Sequence, residues 1–132
     1  MEDEKRIHIM QLTGLQLTAL FKMGMTMAFA DGIFQNEEKA AMALEAVKFG
    51  VTNDQFTTLL QAATTMDNSI AVNVLSGLNL EQKKYAVSYL AVIMAADGNI
   101  DDSELKVWAL VSALCNFPTM SLNEALNFWK TH

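Results

Sequence analysis

Ala96-Asp97-Gly98-Asn99-Ile100-Asp101-Asp102-Ser103-Glu104 is the stretch whose reading decides this chain, because its pattern occurs twice. Sixty-six residues earlier stands Ala30-Asp31-Gly32-Ile33-Phe34-Gln35-Asn36-Glu37-Glu38. Both carry Ala-Asp-Gly, an apolar residue two positions after the glycine, and a glutamate six positions after it. The same offset holds downstream. Phe56, Leu59, Leu60 and Ala63 follow the i, i+3, i+4, i+7 spacing of one helical face. Leu122, Ala125, Leu126 and Trp129 repeat it in register, Ala43 and Leu44 map onto Ala109 and Leu110, and Val51 maps onto Phe117. The expectation is a twofold internal duplication of about three helices, repeat 1 over about 9–65 and repeat 2 over about 79–131, and not a solenoid array.

Working outward, the periodicity predicts seven helices and no strand, since no segment sustains period-2 alternation. The first runs from about Ile9 to Ala30 and is apolar nearly all round in its second half. The second runs from about Asn36 to Phe49 and stops at Gly50, a natural residue for the left-handed turn that ends a helix. Thr52 with Gln55 reads as a capping box opening a third helix to about Thr65. A short fourth helix, about Asn68 to Gly77, belongs to neither repeat. Asn79 with Gln82 opens the fifth, which ends near Ala96. The sixth covers about Asp102 to Cys115, with Leu105, Trp108, Ala109 and Ser112 on one face. After Pro118 a seventh covers about Ser121 to Lys130. The first and fifth, apolar all round, are expected to form the central pair, packed across a pseudo-twofold axis.

Composition agrees with an all-α single domain spanning 1–132. Of 132 residues 52% are hydrophobic and 18% charged, which excludes a disordered chain. One proline and six glycines leave few breaks, so elements are long. Nine Lys and Arg against fifteen Asp and Glu give a net charge of −6, with no basic stripe, which argues against nucleic acid. The lone Cys115 has no partner for an internal disulfide, which suits a reducing compartment. Met1-Glu2-Asp3-Glu4-Lys5-Arg6 has the wrong charge for a signal peptide. Leu12 to Ala30 carries Lys22 at its middle and Ala86 to Ala96 is too short for a bilayer, so neither inserts into a membrane. The expectation is a cytoplasmic protein.

The Asp-Gly corners carry the candidate chemistry. Asp, Gly, a buried aliphatic and a terminal Glu recur in this order in the second half of an EF-hand loop. The first half is missing: its leading ligand positions fall on Ile93 and Ala95, and on Met27 and Phe29 in the first copy. One corner offers too few oxygens for Ca²⁺, which takes about 6–8. Two corners brought together would pool Asp31, Glu38, Asp97 and Glu104, with Asp101 and Glu37 nearby. Such an all-oxygen site suits one divalent cation, Ca²⁺, Mg²⁺ or Mn²⁺, better than Zn²⁺. The competing reading is punctuation. Gly32 and Gly98 end helices, Asp101 with Glu104 makes a capping box, and acids in a first turn complement the helix dipole.

The doubled Ala-Asp-Gly-x-hydrophobic-x-x-x-Glu pattern, at the ends of two apolar helices, resembles the TerB-like family associated with tellurite resistance. The resemblance extends from the first helix to the seventh. It implies seven helices with an internal duplication and a metal-binding role for Asp31, Glu38, Asp97 and Glu104. It also implies cytoplasmic stress-response systems with membrane-protein partners. In the first copy Gln35 stands opposite Asp101 and Asn36 opposite Asp102, so half of such a site has lost two acids.

Other chemistry is poorly supplied. His8 and His132 sit at chain ends and Cys115 on an apolar helix, so zinc and thiol catalysis are not expected. Arg6 is the only arginine, and no glycine-rich phosphate loop completes an enzyme site around the carboxylates. The chain therefore reads as non-enzymatic, working through a protein partner. Met23, Met25 and Met27, Trp108 and Trp129 read as packing residues, while Lys83-Lys84 and Glu37-Glu38-Lys39 read as solvated faces.

Overall fold

A computed structural model describes residues 9–132 except 33, 35 and 97, with the backbone alone at position 31. Among the described residues the chain is all α, with seven helices and no strand. They are α1 (Gly14–Ala28), α2 (Asn36–Glu45), α3 (Asn53–Thr65), α4 (Asn68–Ser76), α5 (Leu80–Met94), α6 (Asp102–Leu114) and α7 (Leu122–Thr131). Single 3-10 turns follow α1 at Phe29–Asp31 and α2 at Ala46–Phe49.

Local chemistry sets these limits. Four helices open with complete capping boxes: Thr13 with Gln16, Thr52 with Gln55, Asn79 with Gln82, and Ser121 with Glu124. Each satisfies two backbone N–H groups that the first turn leaves open, and losing the cap costs about 1 kcal/mol. The far ends use the left-handed region. Gly32 (φ 91°), Gly50 (φ 76°) and Gly98 (φ 82°) occupy it, and so does Asn116 (φ 56°), which lies 66 residues after Gly50.

The first helix is shorter than its apolar run predicts. It begins at Gly14, because the Thr13 box fixes the start. The preceding segment instead lies along the 3-10 turn after α2, where the Met10 N–H donates to the Lys48 carbonyl. Its last residues tighten into the 3-10 turn Phe29–Asp31.

α1 and α5 are the most buried helices. Nine of fifteen residues in α1 and ten of fifteen in α5 are withdrawn from solvent. Phe21, Leu20, Met23, Met27, Tyr89, Leu90 and Ile93 are fully buried, each side chain contributing about 1.5–3 kcal/mol by leaving water. α3 packs on α1 and α7 on α5, while α1 lies against α6 and α5 against α2. α1 and α5 meet near Gly24, where an added Cβ would stand 3.1 Å from Met42 Cε and 3.7 Å from Leu90 Cδ2. α4 is more than a connector, since it packs along α1, with Ala71 and Leu75 fully buried. No described helix is long and apolar enough to cross a membrane.

Two expected faces are corrected. On α6 the buried stripe is Glu104, Trp108, Val111 and Cys115, while Ala109 is exposed and Leu105 and Ser112 are half-buried. The predicted face was thus turned by part of a turn. The two charge runs are also not wholly solvated, because Lys83 and Glu38 are buried between exposed or half-buried neighbours.

Candidate functional site

The corners begin where α1 and α5 stop. Gly32 and Gly98 take left-handed backbone there, and a Cβ at either would meet nothing within 4 Å. Glycine is therefore favoured by the backbone of the turn itself and not by lack of space. The turn Phe29–Asp31 packs against α6, the helix that carries Glu104. Phe34 anchors the first corner through a ring contact with Phe29, centroids 5.5 Å apart.

The predicted ligands are divided. The side chain of Asp31 and all of Asp97 lie outside the described residues. Glu38, in the first turn of α2, is 2% exposed, and Glu104, in the first turn of α6, is 4% exposed. Neither carboxylate is without a partner. Each continues the buried face of its helix, Glu38 with Met42, Ala46 and Phe49, and Glu104 with Trp108, Val111 and Cys115. Asp101 is exposed and caps α6. Its Oδ1 accepts from the Ser103 N–H at 2.7 Å and from the Ser103 hydroxyl. Those bonds, together with the Glu104 N–H, hold its carboxyl below the ordinary value. The expected Asp101–Glu104 capping box is thus replaced. Asp101 caps through Ser103, and Glu104 turns inward. Glu37 is exposed.

The donor set has a mixed fit to a hard cation. The two buried glutamates offer oxygen donors at equivalent places, whereas Asp101 is already committed to backbone. Among the described residues no three of His, Cys, Asp and Glu stand close enough to hold a metal ion.

The structure also holds a cluster that the sequence does not reveal. Trp129 of α7 donates its Nε1–H to Glu45 Oε1 of α2 at 2.7 Å. Lys48 sits over the indole, Nζ 4.4 Å from the ring centroid, and donates to the Trp129 carbonyl. Burial lowers the Lys48 ammonium below its ordinary value, with Glu45 partly opposing this. Trp108, the other tryptophan, donates its Nε1–H to the Val87 carbonyl at 3.1 Å and is a packing residue. Cys115 is buried, and burial pushes its thiol up to about 11, as an inert core cysteine requires.

The fold and its corners define a class: among the described residues, seven helices and no strand, with two left-handed glycine turns in Asp-Gly pairs of the sequence, each followed by a buried glutamate. No family model matches the sequence, and no curated protein matches it. The chain is 45% identical to a protein of unknown function from Porphyromonas gingivalis, known from its crystal structure, with a TM-score of 0.83. The match covers 92% of this chain and 99% of that one, and the chain belongs to the same family as that protein.

Proposed function

We propose that the protein is a non-enzymatic, TerB-like helical protein that binds or senses one divalent cation at its Asp-Gly corners and acts through a protein partner in a cytoplasmic stress response. The cation is Ca²⁺, Mg²⁺ or Mn²⁺, and Asp31, Glu38, Asp97 and Glu104 hold it, with Asp101 at the edge. The observation that carries this reading is the burial of Glu38 and Glu104, 2% and 4% exposed, in the first turns of α2 and α6. A carboxylate withdrawn from water needs compensating charge or donors; these two already have partners, and a cation would add the positive charge.

An internal duplication is part of the reading. α1 and α5 have bounds 66 residues apart and open with the same kind of capping box. α1 lies on α6 as α5 lies on α2, and Gly24 meets Leu90, its own counterpart, as a twofold axis would require. A partner surface is supported by Leu44 and Leu110, also counterparts, which stand 69% and 57% exposed.

The test is thermal unfolding of metal-stripped protein with millimolar Ca²⁺, Mg²⁺, Mn²⁺ or Zn²⁺, beside the Glu38→Gln/Glu104→Gln variant. A cation at about 100 times its Kd stabilises by about 2.7 kcal/mol. For a chain of this size that is a rise of roughly 8–10 °C. The rise should vanish in the variant. No rise with any ion would overturn the cation role. A second reading is favoured by Asp101, whose carboxylate is spent on capping α6. In it the corners are helix punctuation in a metal-free interaction module, Asp101→Ala costs about 0.5–2 kcal/mol as the loss of a cap, and Glu104→Gln changes no response to cations.

A further inference from the structure

Away from the corners, a cleft of about 420 Å³ opens between the end of α2 with its 3-10 turn, α5 and α7. Its walls are Glu45, Lys48, Val92, Leu126, Trp129 and Lys130. The volume lies within the range of small-molecule sites, about 300–1,000 Å³. The walls are two-sided in character. Val92 and Leu126, both half-buried, give an apolar side over the buried Trp129, and Lys48 and Lys130 give two ammonium groups. Glu45 is engaged by the Trp129 Nε1–H.

We propose that this cleft binds a monoanionic amphiphile, a carboxylate carried on a short apolar chain. Two ammonium groups against one carboxylate leave a single net positive charge, in a chain whose own net charge is −6. That local inversion of sign selects an anion. Glu45 beside it repels a second negative charge, so a monoanion fits better than a phosphate dianion. Lys48 has three N–H donors, and its one described hydrogen bond goes to the Trp129 carbonyl. Its ammonium is partly desolvated, as its lowered pKa reflects, and a carboxylate would restore what burial removes. The apolar chain would lie on Val92 and Leu126.

The two tryptophans provide the assay. In a ¹H–¹⁵N spectrum of the full chain, the Trp129 indole N–H reports on the cleft, and the Trp108 indole N–H, bonded to Val87, serves as an internal control. Titration with octanoate should shift the Trp129 resonance saturably and leave Trp108 in place. Octanol, octylammonium and inorganic phosphate, at the same concentrations, should give no saturable shift. Lys130 is exposed, so Lys130→Gln should leave the fold intact and weaken octanoate by about five-fold, the scale of an exposed ion pair. Lys130→Arg should restore binding. A Trp129 resonance indifferent to octanoate would overturn the proposal. So would an equal response to octanol or octylammonium, a stronger response to phosphate, or unchanged affinity in Lys130→Gln.

Discussion

Tyr89→Phe removes one oxygen from the centre of the molecule, and its cost can be worked out from the contacts. The Tyr89 ring is fully buried among Phe21, Phe49 and Trp129, with centroids 6.1, 5.3 and 5.5 Å away. Phenylalanine keeps those contacts. Only the hydroxyl is lost, and it donates at 2.7 Å to the Met42 carbonyl of α2, one turn before that helix tightens to 3-10 geometry. Losing this buried hydrogen bond and leaving the carbonyl one donor short costs about 1–2 kcal/mol. A chain of this length unfolds with an entropy of about 0.28 kcal/mol/K near its midpoint, so the Tm should fall by about 4–7 °C. Alkaline pH supplies an independent check. Burial first, and Glu45 second, raise the Tyr89 phenol well above its ordinary 10.0. The folded state then keeps its proton where the unfolded chain loses it. This share of stability is fully present below about pH 10 and declines as pH rises beyond it. Calorimetry of both proteins from pH 7 to 11 tests the two effects together. A variant melting within 1 °C of the native chain at pH 7, with the same alkaline slope, would refute the account of Tyr89 as the tie between α5 and α2.

Cys115 should resist a thiol-specific reagent at pH 8 in the native protein and react at once in denaturant, because burial pushes its thiol up to about 11 even with Lys83 pulling it down. Its proton is retained on folding, so stability falls as pH rises from about 9 to 11, and Cys115→Ala should flatten that slope; rapid native labelling would contradict this. Gly98→Ala meets no atom within 4 Å, so its cost is conformational alone, about 1–2 kcal/mol in urea unfolding. Asn116→Gly, at the same kind of turn, should stay within about 0.5 kcal/mol of native, since relief at φ 56° is offset by added freedom in the unfolded chain. A Gly98→Ala protein as stable as the native one would remove the argument for both turns.

How much of the fold is legible in the sequence depends on whether the signal is local. The boxes Thr52–Gln55 and Asn79–Gln82 stand between helices with clear breaks, and they place the starts of α3 and α5 to the residue. Thr13–Gln16 is the same signature, but it sits inside an apolar run that begins at Ile9, so periodicity alone overruns it. The Thr13 box is what stops the helix, and a tertiary bond from the Met10 N–H to the Lys48 carbonyl holds the segment before it elsewhere. The switch to 3-10 geometry at Ala46–Phe49 is equally silent in the sequence. So is the cleft at Trp129, where Glu45 and Lys48 meet a residue more than eighty positions away and no spacing rule brings them together.

The buried glutamates are a different case, because the pattern that buries them is present in each helix but is outvoted by its neighbours. Between exposed Glu37 and Lys39, Glu38 reads as part of a solvated run. Counted from the far end of the helix it falls in register with Met42, Ala46 and Phe49, just as Glu104 does with Trp108, Val111 and Cys115. An acid in a first turn is favoured by the helix dipole whichever way it faces, so composition leaves its direction open. The exposed acids Glu37 and Asp102 already serve that dipole in the first turns of α2 and α6, with no desolvation to offset. Dipole complementarity therefore does not account for a second acid, carried inward, in either helix. The inward acid occurs twice, each time six residues after a left-handed glycine. That coincidence separates Glu38 and Glu104 from the remaining acids and makes them the pair on which the cation experiment should act first.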